Sequence, residues 1–132
     1  MTNSFILIDT SIWIDALSKK ADKQLISNFE LLLIEQKIAT TSLIKLELLS
    51  GCSDKKEFNN LSEELDALHQ LEFTADIWHQ ASKLGFLLRK KGLRVPNTDL
   101  LLAAASIAYN CPLWHRDKHF DLISEYAPLK IY

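Results

Sequence analysis

The stretch from Leu100 to Ala108 is apolar on every side of a helix, and it constrains the fold more than any other segment of the chain. Asn97-Thr98-Asp99 directly precedes this stretch and opens the helix. A helix that is hydrophobic all round must be buried at the centre of a fold, so the rest of the chain has to surround it. With 132 residues, of which 48% are hydrophobic, the chain is long enough for one domain with a substantial core. We therefore expect residues 1–132 to form a single domain.

Short apolar runs alternate with helical patterns along the rest of the sequence. Strands are predicted at 5–9, 38–41, 112–115 and 129–131. Helices are predicted at 10–17, 22–37, 43–50, 54–68, 74–91, 97–108 and 119–126. Thr10 and Ser11 are expected to cap the first helix, and Ser42 the third. Short buried strands alternating with helices predict a three-layer α/β fold, with a short, mostly parallel sheet flanked by helices.

The sequence lacks the marks of a secreted, membrane-spanning or disulfide-rich protein. The apolar run near the N-terminus has no basic start and reaches Asp9 within a few residues, so it is not a signal peptide. No stretch approaches the roughly 20 uninterrupted apolar residues of a membrane helix. Cys52 and Cys111 lie far apart without a CxxC spacing, which favours buried free thiols over a disulfide or a zinc ribbon. We expect a cytoplasmic protein.

The net charge of −2 gives no indication of nucleic-acid binding. Positive charge is concentrated in one run, Arg89-Lys90-Lys91-Gly92-Leu93-Arg94. The simpler explanation is a solvated helix end, where cations suit the helix dipole and Gly92 is the residue after the C-cap. Contact with phosphate groups is the alternative.

Four acids interrupt otherwise apolar stretches at widely separated points: Asp9, Glu47, Asp99 and Asp117. Asp9 ends the first predicted strand, and Asp117 follows the strand that ends at His115. In open α/β sheets, sites form in the crevice beyond the carboxyl ends of the strands. We expect the four carboxylates to converge at that edge.

Glu47 is surrounded in sequence by Leu43, Ile44, Leu46, Leu48 and Leu49, so we expect it to be buried. A buried carboxylate without a partner costs several kcal/mol or stays protonated. Two carboxylates brought within about 4 Å repel by about 4 kcal/mol at an effective dielectric constant near 20, so a cation is needed among them. Oxygen ligands without cysteine indicate Mg²⁺ or Mn²⁺. Such ions activate water and support hydrolysis of a phosphodiester.

Simpler local roles exist for three of these acids. Asp9 can be a turn or cap residue, and Asp99 can be a first-turn acid favoured by the helix dipole. Asp117 can be an ordinary loop residue between Arg116 and Lys118. Thr10 can orient a water or a phosphate oxygen, although capping alone also explains it.

The neighbours of the four acids resemble the successive motifs of PIN-domain ribonucleases, in the same order along the chain. The match is to the small VapC-type toxins of bacterial toxin–antitoxin pairs, and it covers the chain from about residue 5 to the C-terminus. The motifs are Ile8-Asp9-Thr10-Ser11 with Trp13 and Asp15, Leu46-Glu47-Leu48-Leu49-Ser50-Gly51, Thr98-Asp99-Leu100-Leu101-Leu102-Ala103-Ala104, and Asp117-Lys118-His119-Phe120.

The resemblance implies a PIN-like fold over residues 1–132 and a set of site residues. Asp9, Glu47, Asp99 and Asp117 would be ligands of Mg²⁺ or Mn²⁺, with Thr10 as a hydroxyl helper. It further implies RNA as the substrate, a homodimer, and a cognate antitoxin that places a basic side chain among the acids.

The chain departs from the family pattern at His115. The family commonly has Thr or Ser two residues before the last acid, so the hydrogen bonding of Asp117 is the weak point of the prediction. We interpret His115 as a packed residue at a strand end, with phosphate binding as the alternative. A zinc site between His115 and His119 finds little support, because no third nitrogen or sulfur ligand is evident. His69 and His79 have no such neighbours.

Other functions remain open from sequence. A phosphate-accepting Asp also follows a first strand in other proteins, but the Asp-x-Asp pair or late lysine that this requires is missing. An RNA-processing nuclease without an antitoxin, or a non-catalytic member that binds RNA or protein, would share the same motifs.

Overall fold

A sheet of short parallel strands forms the centre of the protein, in a computed structural model that describes residues 4–18 and 21–132. The strands are β1 (Ile6–Ile8), β2 (Ile38–Thr40), β3 (His69–Gln70) and β4 (Leu113–Trp114), in the spatial order β3-β2-β1-β4. Every pairing between them is parallel. All residues of β1 and β2 are buried, as expected for a parallel sheet covered on both faces.

Helices connect the strands and cover the sheet. The described residues form α1 (Thr10–Ser18), α2 (Lys23–Ile34), α3 (Ser42–Leu49), α4 (Lys55–Asp66), α5 (Ala75–Lys90), α6 (Asn97–Tyr109) and α7 (Lys118–Ser124). The predicted α/β class, with a short parallel sheet flanked by helices, is confirmed. No helix within the described ranges is both long enough and apolar enough to cross a membrane.

Helix α6 is buried along most of its length, as its composition predicts. Every residue from Leu100 to Ser106 is buried. Helix α5 packs against it and buries one face at helical spacing, formed by Ile77, Ala81, Leu84 and Leu88. A Cβ atom on Gly85 would lie 2.8 Å from Leu100 Cδ1, so the missing side chain permits this close approach. The packing of α5 holds the first turn of α6, and with it Asp99.

Two predicted helix caps are wrong. Helix α3 begins at Ser42, and the cap is Thr41, whose Oγ1 accepts a hydrogen bond from Ile44 N at 3.2 Å. At the start of α1, the carboxylate of Asp9 accepts the Ser11 N–H at 3.2 Å, so the capping acceptor is the acid and not a hydroxyl. Both caps lie one residue earlier than predicted, because Thr10 and Ser42 are already the first residues of their helices.

The strand predictions need correction at three places. β3 was not predicted, because its two residues are too few for a periodic pattern. The closing strand at 129–131 is reduced to a single parallel bridge between Leu113 and Ile131. β4 ends at Trp114, one residue before the predicted end, which leaves His115 in the loop before α7.

Two further expectations concern thiols and the basic run. Both cysteines are free thiols, but only Cys111 is fully buried. The basic run forms the end of α5, and Gly92 has a φ of 77°, as predicted for a residue after a C-cap. Its contact with phosphate stays a prediction.

Candidate metal centre

Asp99, Asp117 and His119 form a cluster of possible metal ligands at the carboxyl edge of the sheet. One ligand atom from each lies within 4.8 Å of the others. His119 Nδ1 is 3.2 Å from Asp99 Oδ2 and 3.1 Å from Asp117 Oδ1. Asp99 lies in the first turn of α6, and Asp117 is the N-cap residue of α7. The cluster therefore forms where the start of α6 meets the loop after β4.

Asp9 is the most buried of the four predicted ligands, with 8% of its surface exposed. Its backbone N–H donates to Trp114 O at 3.0 Å, which joins the end of β1 to the end of β4. Its Oδ2 accepts the Ser11 hydroxyl at 2.6 Å. The Ser11 hydroxyl oxygen in turn accepts the Arg116 N–H at 3.3 Å. Asp9 is thus fixed against the loop that carries Asp117.

The electrostatics of Asp99 show that three acids crowd this edge. Burial raises the pKa of Asp99 to about 6, with the negative charges of Asp117 and Asp9 as further causes. The nearby His119 acts in the opposite direction and lowers it. A bound cation would remove the repulsion that opposes ionisation of Asp99.

Glu47 is exposed, so the prediction that it is buried is wrong. Helix α3 buries only Ile44 and Leu48, while Leu46 is 64% exposed. The many leucines of this segment therefore predicted a wider buried face than α3 has. Among the described residues, Glu47 does not belong to the cluster of Asp99, Asp117 and His119, but the Thr10 hydroxyl donates to Glu47 Oε1 at 2.6 Å. Thr10 directly follows Asp9 and joins the two acids.

Asp117 combines its place in the cluster with a structural role. Its Oδ1 accepts the backbone N–H of His119 at 2.9 Å, which caps α7. Its own backbone N–H donates to His115 Nδ1 at 3.0 Å. The imidazole of His115 thus supplies the acceptor that holds the backbone of Asp117.

His115 is packed, as predicted, with 4% of its side chain exposed. Nδ1 accepts from a backbone N–H, so the proton of the neutral ring is on Nε2. Nε2 lies 3.3 Å from Asp121 Oδ1, although not in hydrogen-bonding geometry. Both ring nitrogens of His115 face other groups, and within the described part of the chain His115 does not belong to the cluster of possible ligands.

His119 is the residue that sequence reasoning missed. The available signal was its position two residues after Asp117, at the start of a helix that this acid caps. The second residue after an N-cap donates its backbone N–H to the cap side chain, and it therefore lies close to it.

The donors of this edge fit a divalent cation. Carboxylate oxygens from Asp9, Asp99 and Asp117 are hard ligands, and an imidazole nitrogen accompanies them. The local excess of negative charge, visible in the raised pKa of Asp99, favours a cation there.

Known proteins are similar to this chain in sequence and in fold. A model of the PIN domain matches residues 6–126. Ribonuclease VapC1 of Methanocaldococcus jannaschii is 29% identical over 98% of this chain and 88% of its own length. Ribonuclease VapC2 of Rickettsia felis is 33% identical over 81% of this chain and 82% of its own length.

Solved structures agree with this assignment. The chain is similar to a protein chain in the crystal structure of VapBC2 from Rickettsia felis bound to a DNA fragment from their promoter. The TM-score is 0.75 and the identity 30%, over 97% of each chain. The family match covers most of the chain, and the fold brings Asp99 and Asp117 together, with Asp9 near enough for its charge to act on Asp99. The chain belongs to the PIN-domain family, among its VapC ribonucleases.

Proposed function

We propose that this protein is a metal-dependent endoribonuclease and the toxin of a toxin–antitoxin pair. Asp9, Glu47, Asp99 and Asp117 are the proposed ligands of Mg²⁺ or Mn²⁺, and Thr10 is the proposed hydroxyl helper. The observation that carries the proposal is the crowding of Asp99 and Asp117 with His119, whose ligand atoms lie within 4.8 Å of one another, with Asp9 near enough for its charge to act on Asp99. Such crowding serves hydrolysis when a cation is bound among the acids.

The protein side chains have separate tasks in this mechanism. When bound, the cation supplies a water of lowered pKa and neutralises charge on the phosphodiester. Asp99 would hold the cation as a carboxylate, the form that predominates at neutral pH because its pKa is about 6. Ser11 fixes one oxygen of Asp9, and Thr10 fixes one oxygen of Glu47. His115 fixes the backbone of Asp117.

The role as a toxin is supported by the solved relative and by exposed apolar side chains. The Rickettsia felis structure is of a VapBC2 complex. In this chain, large apolar side chains are exposed on three neighbouring helices: Ile14 on α1, Leu31 and Ile34 on α2, and Leu46 on α3. Exposed apolar surface of this kind favours a protein partner, here the antitoxin. The basic side chain that the antitoxin would place among the acids has a complementary site in this negative cluster.

A homodimer and a cytoplasmic location belong to the same proposal. A groove between α5, α6 and residues 126–128 is lined by Leu84, Leu87, Ile107 and Tyr126. An apolar groove on the side of α6 away from Asp99 is suited to a second copy of the chain.

An RNA cleavage assay with Mg²⁺, Mn²⁺ or EDTA tests the proposed activity. We expect EDTA to abolish cleavage and either ion to restore it. Asp9→Asn and Glu47→Gln should each lower the rate, on the order of 10- to 100-fold, since each removes a negative oxygen from the site. Cleavage that persists in EDTA, or full activity in both variants, would contradict the mechanism.

Two matched variants control for the loss of a charge elsewhere. Asp76→Asn removes a first-turn acid of α5, which lies beside Ile107 near the other end of α6. Glu30→Gln removes an exposed acid of α2. Both should cleave RNA at the wild-type rate. A reading frame for a small DNA-binding protein beside the gene would favour the toxin role over RNA processing.

A further inference from the structure

One ring nitrogen of His119, Nδ1, lies close to both acids of the cluster. Nδ1 lies 3.1 Å from Asp117 Oδ1 and 3.2 Å from Asp99 Oδ2. The side chain is 34% exposed, so the same edge is open to solvent and to an entering ion. Among the described residues, no other histidine belongs to this group of possible ligands.

The Nδ1 atom of His119 is spaced from each of the two carboxylate oxygens as two ligands of one ion would be. Adjacent ligands of an octahedral ion at about 2.1 Å are about 3.0 Å apart. The two distances from Nδ1 to the carboxylate oxygens, 3.1 Å and 3.2 Å, are close to that separation. Hydrogen bonds from a protonated Nδ1 have similar lengths, so the spacing permits either a proton or a metal ion at this point.

The backbone of His119 fixes the position of the ring. Its N–H donates to Asp117 Oδ1 at 2.9 Å, as part of the cap of α7. The backbone that carries the imidazole is therefore held beside Asp117. An anchored ligand loses less conformational freedom when an ion binds.

We infer that His119 coordinates the divalent cation through Nδ1 and makes this site prefer Mn²⁺ over Mg²⁺. The inference rests on the proposed function, because it concerns the same metal site. Mg²⁺ binds oxygen ligands and gives up its waters reluctantly, whereas imidazole nitrogen suits transition metals. A nitrogen beside the carboxylates therefore adds more to the affinity for Mn²⁺ than to the affinity for Mg²⁺.

Pulsed electron paramagnetic resonance of the full chain loaded with Mn²⁺ tests this ligation directly. A coordinated imidazole nitrogen gives a ¹⁴N modulation of the Mn²⁺ echo. We expect that modulation in the wild type and in His79→Ala, which removes an exposed histidine of α5. It should be absent in His119→Ala. That variant keeps the backbone N–H that caps α7, so the loop is expected to remain folded.

Affinities measured by titration of metal-free protein complete the test. His119→Ala should weaken Mn²⁺ binding on the order of 10- to 100-fold. Mg²⁺ binding should weaken much less, so the preference for Mn²⁺ falls. A bound Mn²⁺ without the ¹⁴N modulation in the wild type, or one whose modulation survives in His119→Ala, would overturn the inference. Equal losses of affinity for the two ions would also overturn the preference.

The inference and the proposed function can fail separately. If RNA cleavage still requires a divalent ion and the acids but Mn²⁺ shows no nitrogen ligand, only the role of His119 is wrong. If neither Mn²⁺ nor Mg²⁺ binds the wild type, both are wrong.

Discussion

Burial and the negative charges of Asp117 and Asp9 oppose ionisation of the Asp99 carboxyl group. Its side chain is 14% exposed and lies in the first turn of α6, where the helix dipole favours a negative charge. The dipole and His119 do not compensate for the unfavourable surroundings, since the pKa is still raised to about 6. The metal-free protein therefore carries an electrostatic cost at neutral pH.

Asp99→Asn should reveal this cost in the metal-free protein. Because the folded pKa is raised, the stability of the wild type falls as pH rises from the ordinary value of 3.8 through about 6. Asparagine does not titrate, so the stability of Asp99→Asn relative to the wild type should rise over that window and then level off. Urea unfolding in EDTA between pH 4 and pH 8 measures the difference.

Added metal should make the wild type more stable relative to Asp99→Asn. At pH 7.5, Mn²⁺ should stabilise the wild type more than Asp99→Asn, because binding to the folded state raises its stability. Asp76→Asn, which removes a first-turn acid of α5 outside the metal site, should gain as much stability from Mn²⁺ as the wild type does. A difference between Asp99→Asn and wild type that is independent of pH would contradict the account of Asp99.

The sequence identified the acids better than it identified their surroundings. The positions of Asp9, Asp99 and Asp117 follow from interruptions of apolar runs and from the family motifs. The exposure of Glu47 was wrongly predicted, because leucine content does not show which leucines α3 buries. His119 was missed because its proximity to Asp99 depends on the packing of α7 against α6, which no local pattern contains.

At the scale of elements, the hydrogen bond from Thr10 to Glu47 connects the start of α1 with the middle of α3. These helices follow β1 and β2, which are neighbours in the sheet. The parallel register brings both helix starts to one edge, and the Thr10 hydroxyl then binds Glu47 of α3 to the residue that follows Asp9.

Thr10→Val should release the side chain of Glu47 from α1 without unfolding the protein. The valine keeps the shape of the side chain but removes the donor to Glu47. We expect RNA cleavage to fall about tenfold, as for other groups that orient a metal ligand. The free energy of unfolding should fall by less than about 1 kcal/mol, because the bond is exposed to water. Thr10→Ser, which keeps the hydroxyl, should retain most of the activity.

A double variant distinguishes orientation of Glu47 from an independent role of Thr10. If Thr10 acts by orienting Glu47, adding Thr10→Val to Glu47→Gln should have little further effect on cleavage. Additive losses of rate in the double variant would instead show that Thr10 acts on the substrate or on water directly.

Elements with long patterns were predictable and the shortest ones were not. The buried face of α5 and the burial of α6 follow from composition and spacing over more than ten residues. β3 and the bridge at Ile131 depend on pairing with distant strands, so two or three residues of local sequence do not reveal them.

The whole molecule brings together residues that are about a hundred positions apart in the chain. Asp9 lies at the end of β1, and its backbone bonds to the end of β4, just before the loop that carries Asp117. The sheet order β3-β2-β1-β4 places β1 between its two partners, so its carboxyl end is the centre of the edge. That residues 1–132 form a single PIN-like domain stays a prediction, while the family match itself covers residues 6–126.

Anomalous diffraction from crystals of the wild type grown with Mn²⁺ tests the central claim most directly, because it locates the ion without reference to activity. The account predicts an anomalous peak at the carboxyl edge of the sheet, within ligand distance of Asp99 and Asp117 and beside Asp9. The peak should disappear in crystals of Asp99→Asn prepared in the same way. A wild-type map with no peak at this edge in saturating Mn²⁺, or with the ion bound only elsewhere, would contradict the account.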